Sequence, residues 1–425
     1  VIRRLVADLT PLRTSPPFRR LWLGQALSLV GSQMTVFAVA LQVYRLTGSS
    51  AAVGAVGLVS GAAGIAVGLL AGGFIDAVDR RRVLLMTSLA QLATSAGLAA
   101  QAFAGGGTLW PIYLLVGVQA ALGAVSAPAR RTFLPRLLPA ERLTAGAALL
   151  TLVGRVGGVV GPSLAGLLTA AAGLRFCYVV DAGSFLAALY GVVGLPSLRV
   201  APGAGSRPGL RAIVAGLRVI RRSSVLTGVL LADVCATVLA VPVALFPAID
   251  AERFGGDPEL LGLMTTAMAV GGVLGTALSG PVGRVRRQGR GMLVAGAVWG
   301  LSIATFGLAH GVVLTLLALL VADAADVSSV VLRETVVQTA TPEAFRGRVS
   351  ATDYVVGAAV PQLGNVRAGV VATATSPGFS ALSGGLAAAA AAGVLAVGFP
   401  ALVRYRACAP APVGAQAGAS TVSSR

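Results

Sequence analysis

Residues 72–81 read Gly72-Gly-Phe-Ile-Asp-Ala-Val-Asp-Arg-Arg81 and sit between two long apolar runs; an altered copy, Gly-Pro-Val-Gly-Arg-Val-Arg-Arg-Gln-Gly-Arg, occupies 280–290. Setting Gly72 on Gly280 puts Asp76 over Arg284 and Leu85 over Leu293, a constant offset of 208 positions. A charged turn used twice between apolar runs marks a duplicated membrane protein. The repeat continues downstream: Ala129-Arg-Arg-Thr-Phe-Leu-Pro-Arg-Leu-Leu-Pro139 matches Leu332-Arg-Glu-Thr-Val-Val-Gln-Thr-Ala-Thr-Pro342 at an offset of 203, and Gly161 and Gly166 fall on Gly364 and Gly369 at the same offset.

Composition agrees with a lipid environment. The chain has 425 residues, is 56% hydrophobic and only 11% charged, and has a mean hydropathy of +0.85, whereas soluble domains are about 25% charged. Twelve apolar stretches approach the roughly 20 residues that cross a bilayer as helix. They cover about 20–44, 51–75, 82–104, 109–128, 144–170 and 174–195 in the first half. The second half gives 225–249, 259–282, 290–309, 312–332, 349–373 and 379–403. Six spans per half preserve orientation, so the repeats are parallel about an axis along the membrane normal. The fold expected is an all-α membrane protein with twelve transmembrane helices in two six-helix repeats.

The net charge of +18 is explained by topology and not by a polyanion. All 33 basic residues are Arg. With both termini inside, only Arg45, Arg175 and Arg253 fall in outer loops and Arg155 and Arg367 within spans; the rest cluster on the cytoplasmic side, as the positive-inside rule requires. They lie in short loops without interleaved base-stacking aromatics, which argues against nucleic acid. Cys177, Cys235 and Cys408 are too scattered for a metal site or disulfide framework. No phosphate-binding Gly-Lys-Ser loop, paired Cys motif or second His is present, so neither enzyme, metal site, cofactor nor ATP-driven pump is expected. The first span is too long for a signal peptide and lacks its cleavage pattern, so it is expected to be retained.

Organisation follows from these runs. Residues 1–19 form a basic lead-in, 20–195 and 225–403 the two bundles, 196–224 a linker, and 404–425 a tail rich in Ala, Ser, Gly and Pro that reads as disordered. Within the linker, Leu210, Ile213, Leu217 and Ile220 recur at helical spacing among Arg211, Arg218, Arg221 and Arg222. That pattern predicts a basic amphipathic helix on the inner leaflet.

These residues resemble the major facilitator superfamily, and within it the drug and siderophore exporters typified by the bacterial enterobactin exporter. The resemblance runs from about Asp8 to Arg404. Its loop motif is met by Gly72, Asp76, Arg80 and Arg81; Ala77 replaces the family's Arg, and Asp79 replaces its second Gly, a variant of the exporter branch. The resemblance implies that this loop latches the halves together on the cytoplasmic side when the pore faces outward. Asp76 is the carboxylate suited to pair with Arg or a helix N-terminus; topology alone also accounts for Asp76, Asp79 and the arginines. In span five, Gly154-Arg-Val-Gly-Gly-Val-Val-Gly-Pro-Ser-Leu-Ala-Gly166 is similar to the antiporter motif of proton-exchanging members. Gly157, Gly161, Pro162 and Gly166 carry it, and helix packing explains them equally. The stripe Gly54, Gly57, Gly61, Gly64, Gly68 and Gly72 in span two reads as a packing face.

Charges within spans carry the strongest functional signal, each costing about 2.5–3.5 kcal/mol at the helix centre on insertion scales unless it pairs or meets water. Asp233, Asp323, Asp326, Arg155 and Arg367 qualify as proton-coupling candidates. The resemblance implies that spans one, four, seven and ten line the central cavity, which would place the carboxylates on a watery path. The alternative is a permanent pair between Asp323 or Asp326 and Arg155 or Arg367. Gln25, Ser28, Ser32 and Gln119 are substrate-cavity candidates or interhelical links. Asp181 is assigned nothing beyond packing or gating. His310 falls in an outer turn, where a relay is not expected. The expected activity is export of a small amphipathic molecule, siderophore or drug-like, across the plasma membrane in exchange for protons, by a monomer whose other partner is lipid. Lipophilic antibiotics such as macrolides are the neighbouring substrate class, and a non-transporting scaffold or sensor is the contrasting reading.

Overall fold

The computed structural model describes residues 8–70, 78–198 and 210–406. Gly72, Asp76 and Ala77 of the hairpin, and residues 407–425 of the tail, lie outside it. Twelve helices are long and apolar enough to cross a membrane: α1 (Pro16–Thr47), α2 (Ser50–Leu69), α3 (Arg80–Phe103), α4 (Trp110–Leu137), α5 (Ala140–Ala172), α6 (Arg175–Val193), α7 (Ser224–Phe254), α8 (Pro258–Ala277), α9 (Gln288–Leu308), α10 (Val312–Ala340), α11 (Glu343–Ala374) and α12 (Pro377–Gly398). No strand occurs among the described residues.

Several helices outrun the apolar stretches that announce them, because caps and not hydropathy end a helix. The first begins at Pro16 behind Ser15, whose hydroxyl accepts the Phe18 amide at 3.3 Å, and stops at left-handed Gly48. Glycine takes that conformation at little steric cost. The fourth continues past Arg130 and Arg131 into Leu134–Leu137. The seventh is broken. Its regular helix ends at Ala240, Pro242 interrupts it, and a short turn Val243–Leu245 leads into Phe246–Phe254. Asn365 Oδ1 on α11 accepts the freed Ala244 amide at 3.3 Å, which meets the demand that backbone polar groups in lipid find partners.

The halves join at two glycine crossings. A methyl added at Gly54 of α2 would stand 2.6 Å from the Asn365 carbonyl oxygen on α11, and Gly369 of α11 faces the Ser50 carbonyl. Likewise Gly166 of α5 meets the Pro258 carbonyl and Gly262 of α8 the Pro162 carbonyl, at 2.6 and 2.8 Å from the added carbon. Farther along, the pairs diverge. The nearest atom to an added carbon at Gly64 is the Ala120 carbonyl oxygen at 3.8 Å, on α4, and at Gly154 nothing lies within 4 Å. The stripe of span two therefore serves two partners, α11 through Gly54, Gly57 and Gly61, then α4.

Core packing shows the same divergence. One apolar core spans both halves at the face opposite the arginines, where Phe37, Val43 and Val53 join Phe246, Ile249 and Met264. At the arginine-rich face the cores separate: Val83, Leu84 and Phe133 belong to one half, and Leu293, Leu332 and Leu402 to the other. The molecule is sealed at one face and parted at the other. The linker helix Leu210–Arg222 forms as its periodicity demands, but it leans on α11: Gly216 abuts Arg348 and Thr352, and Thr352 Oγ1 donates to the Ile213 carbonyl at 3.0 Å.

Overpacking a close helix contact costs about 1–3 kcal/mol. Gly54→Ala should therefore lower thermal stability in detergent by that order, while Gly64→Ala should leave it within about 0.5 kcal/mol. Equal unfolding midpoints for the two variants would contradict the crossing.

Candidate functional site

Between the halves lies a cavity of about 1240 Å³. It reaches from Val39 and Ala244 near the sealed face to Arg131, Leu134 and Ala147 at the parted one. Gln25, Ser28, Ser32 and Gln119 all line it, joined by Gln362 and Asn365 of α11. The α1 and α4 polar residues thus face the cavity from the first half. In the second half the break in α7 brings Val243 and Ala244 to its end.

Behind that wall lies a residue whose importance hydropathy does not reveal. Asp181 is fully buried, and its Oδ2 accepts from Thr35 Oγ1 at 2.7 Å, Ser95 Oγ at 2.7 Å and Gln119 Nε2 at 3.2 Å, while Ser32 Oγ donates to Oδ1 at 3.4 Å. Three helices converge on one carboxyl that has no cation partner among the described residues. Ser32, Thr35 and Gln119 also touch the cavity, so the network connects its wall to the carboxyl. The readable signal was the set of small polar residues at matching depths on α1, α3 and α4. A second polar chain sits nearer the sealed face, where Tyr178 Oη donates to Gln42 Oε1 at 2.6 Å and Gln42 Nε2 to Gln101 Oε1 at 2.9 Å.

The intramembrane charges separate into distinct roles. Asp233 does not face the central cavity; it binds Arg333 at 2.8 Å, which also binds Asp353 at 3.2 Å. Neither Arg333 nor Asp353 belonged to the candidates read from sequence, because both lie near span ends where charge is ordinary. Asp326 and Asp233 border a void of about 20 Å³ inside the second half, room for about one water. Asp323 approaches Arg155 from across Gly272, without an ion pair within 4.0 Å among the described residues. Among the described residues Arg367 has no carboxylate partner: its Nη1 donates to the carbonyls of Leu239 at 2.7 Å and Ser380 at 3.5 Å. The Leu239 carbonyl near the α7 break and the Ser380 carbonyl of α12 satisfy it instead.

Gly157 packs against Leu29, Gly161 against Val30 and Gln33, and Gly166 against α8, so the glycine motif acts as the joint of α5. The described part of the hairpin binds its own half. Asp79 Oδ1 accepts the amides of Arg81 at 2.8 Å and Leu198 at 3.2 Å, the Arg80 amide donates to the Leu198 carbonyl, and Arg81 Nη2 donates to the Val193 carbonyl at 2.6 Å. Burial works to raise the Asp79 carboxyl, but the Leu198, Arg81 and Arg82 amides and the Arg82 charge outweigh it and hold it below the usual range.

Removing one member of a buried ion pair costs about 3–5 kcal/mol. Arg333→Gln should destabilise by that order, and adding Asp233→Asn should recover part of the loss, read as thermal midpoints in a double-mutant cycle. Asp181→Ala leaves several buried donors without an acceptor, at about 1–3 kcal/mol each. A midpoint unchanged in Asp181→Ala would show that the network is not formed.

Known sequences and structures agree with this arrangement. The profile of a family described as "Transmembrane secretion effector" matches residues 6–411. The enterobactin exporter EntS of Shigella boydii serotype 18 is 30% identical over 388 residues, covering 88% of this chain and 91% of that protein, and the same protein of Escherichia coli O81 matches equally. Among solved structures, the nucleoside transporter NupG superposes with a TM-score of 0.72 at 16% identity, covering 92% of this chain and all of that one. A bacterial homologue of the iron transporter ferroportin, in its inward-facing state, gives 0.65 at 19%, covering 92% and 99%. The likeness to the solved structures carries the fold. A duplicated twelve-helix bundle, a cavity between its halves and this sequence likeness across the chain lead to one assignment: the chain belongs to the transmembrane secretion effector family of the major facilitator superfamily, as a small-molecule exporter.

Proposed function

We propose that the protein exports a small amphipathic molecule, of siderophore or drug-like size, from the cytoplasm across the inner membrane by alternating access, in exchange for protons. The observation that carries this reading is the cavity of about 1240 Å³ that ends under a core shared by both halves and extends to Arg130, Arg131 and Leu134 at the arginine-rich face. On the positive-inside rule that face is cytoplasmic, which is the side this reading gives to both termini. Substrate enters from the cytoplasm and meets the polar groups of α1, α4 and α11. The halves then rock at the glycine crossings, where small residues permit sliding contact, and the shared core parts on the outer side. The latch of Gly72, Asp76, Asp79, Arg80 and Arg81 would close the opposite face in that state.

Proton exchange falls to carboxylates without a fixed cation. Asp323 and Asp326 meet that condition, and Asp181 joins them as a buried acid whose donors reach the cavity wall. Asp233, bound to Arg333, instead helps hold α7, α10 and α11 together. The protein acts as a monomer in lipid, and the siderophore class is suggested by what its relatives are named for.

Everted membrane vesicles provide the test. Accumulation of the exported molecule should fall at least tenfold when the proton gradient is collapsed, and Asp326→Asn or Asp181→Asn should reduce it comparably while the protein remains folded. Accumulation indifferent to the gradient would reject proton exchange. Accumulation no greater than in vesicles lacking the protein would reject export.

A further inference from the structure

The two repeats treat one arginine differently. Arg130 of α4 corresponds to Arg333 of α10 at the offset of 203 that also places Gly161 on Gly364. At the offset of 208, Gln25 of α1 corresponds to Asp233 of α7. Packing agrees with both registers: Gly31 lies against Asp181 as Leu239, 208 positions on, lies against Gly384, 203 positions beyond Asp181. Asp353 of α11 corresponds in the same way to Leu150 of α5. The second half thus holds its cation between two carboxylates at 2.8 and 3.2 Å, while the first half puts Gln25 and Leu150 in their places.

Gln25, Arg130 and Leu150 all line the central cavity. Nε of Arg130 and Oε1 of Gln25 are buried without a hydrogen-bond partner, as is Nε of Arg333; what separates the two arginines is that, among the described residues, Arg333 has two carboxylate partners and Arg130 none. A half-buried guanidinium without a counter-charge is costly, and its planar fork suits an oxyanion bidentately. Arg131 and Arg155 add positive charge to the same cavity, and among the described residues no carboxylate lines it. Topology accounts for Arg131 at the mouth, but Arg155 lies well inside α5, where a cation is expensive. Of the nearest acids, Asp323 approaches Arg155 across Gly272 and offsets part of its charge, without an ion pair within 4.0 Å, while Arg130 has no carboxylate partner among the described residues. Asp181 is held behind Gln119, a residue that lies about 16 Å from Arg130 along α4 by helix rise.

We propose that the cavity contains an anion site at Arg130, aided by Arg155, in which a ligand supplies the negative charge that Asp233 and Asp353 supply to Arg333; the substrate is therefore an amphipathic organic anion bearing a carboxylate or sulfonate. The substrate class rests on the export reading, whereas the anion site does not. The apolar body of such a ligand would lie against Val36, Val39 and Val116, which share the cavity.

The test uses three fluorophores with one aromatic body: dansylglycine, an anion; dansylcadaverine, a cation; and dansylamide, which is neutral. Their fluorescence is titrated with the full chain in lipid nanodiscs. Dansylglycine should bind at least tenfold tighter than dansylcadaverine. Arg130→Gln and Arg155→Gln should each weaken dansylglycine several-fold to tenfold and leave dansylamide unchanged, which also reports a folded cavity. Arg155→Lys should retain part of the preference. Gln25→Asp, which installs the second half's carboxylate beside Arg130, should abolish the preference as Arg130→Gln does. Equal or tighter binding of the cation, absence of dansylglycine binding, or arginine variants that shift all three ligands together would overturn the proposal. Selective anion binding without transport in vesicles would uphold the site and reject export.

Discussion

Lipid supplies no hydrophobic drive to bring one helix against another, so the joint between the two bundles depends on how closely their backbones approach. Here that approach is made by glycine against carbonyl, at Gly54 and Gly369 between α2 and α11 and at Gly166 and Gly262 between α5 and α8. Everything else follows from where those contacts stop. Beyond them, the paired helices separate, the shared core gives way to two cores, and the space between becomes the cavity. A larger side chain at any of the four would part the bundles at the face where they are meant to be sealed.

Polar groups then divide the work. The second half stabilises itself with ions, Asp233 and Asp353 gripping Arg333 across α7, α10 and α11. The first half does so with neutral donors around Asp181, drawn from α1, α3 and α4. Both solutions tie helices together, but only the second includes its own counter-charge. Two repeats with the same backbone plan therefore present different chemistry to whatever lies between them.

The sequence carried the architecture because membrane physics writes in long runs: twelve apolar stretches, the arginine asymmetry and the repeated turn each exceed chance at low resolution. Helical spacing puts Gln25, Ser28 and Ser32 on one face of α1, but only the resemblance turned that face and Gln119 toward a cavity, where all four are found. Pairing was harder to read. That Asp233 would meet Arg333, 100 positions away, depends on the rotation of α7 against α10, which no local pattern encodes. Arg367 illustrates the same limit: its partners are the carbonyls of Leu239 and Ser380, and carbonyls are the same in every residue. Asp181 was undervalued because its three supporting helices are distant in the chain, and each contributes only a common Ser, Thr or Gln.

Asn365 gives the sealed face an unusual mechanical property. Its backbone carbonyl is the surface on which Gly54 rests, while its side-chain oxygen holds the Ala244 amide released by Pro242. One residue is thus both bearing and clasp. A substitution that shifts the Asn365 backbone therefore acts on two joints at once, the contact between the halves and the turn that breaks α7.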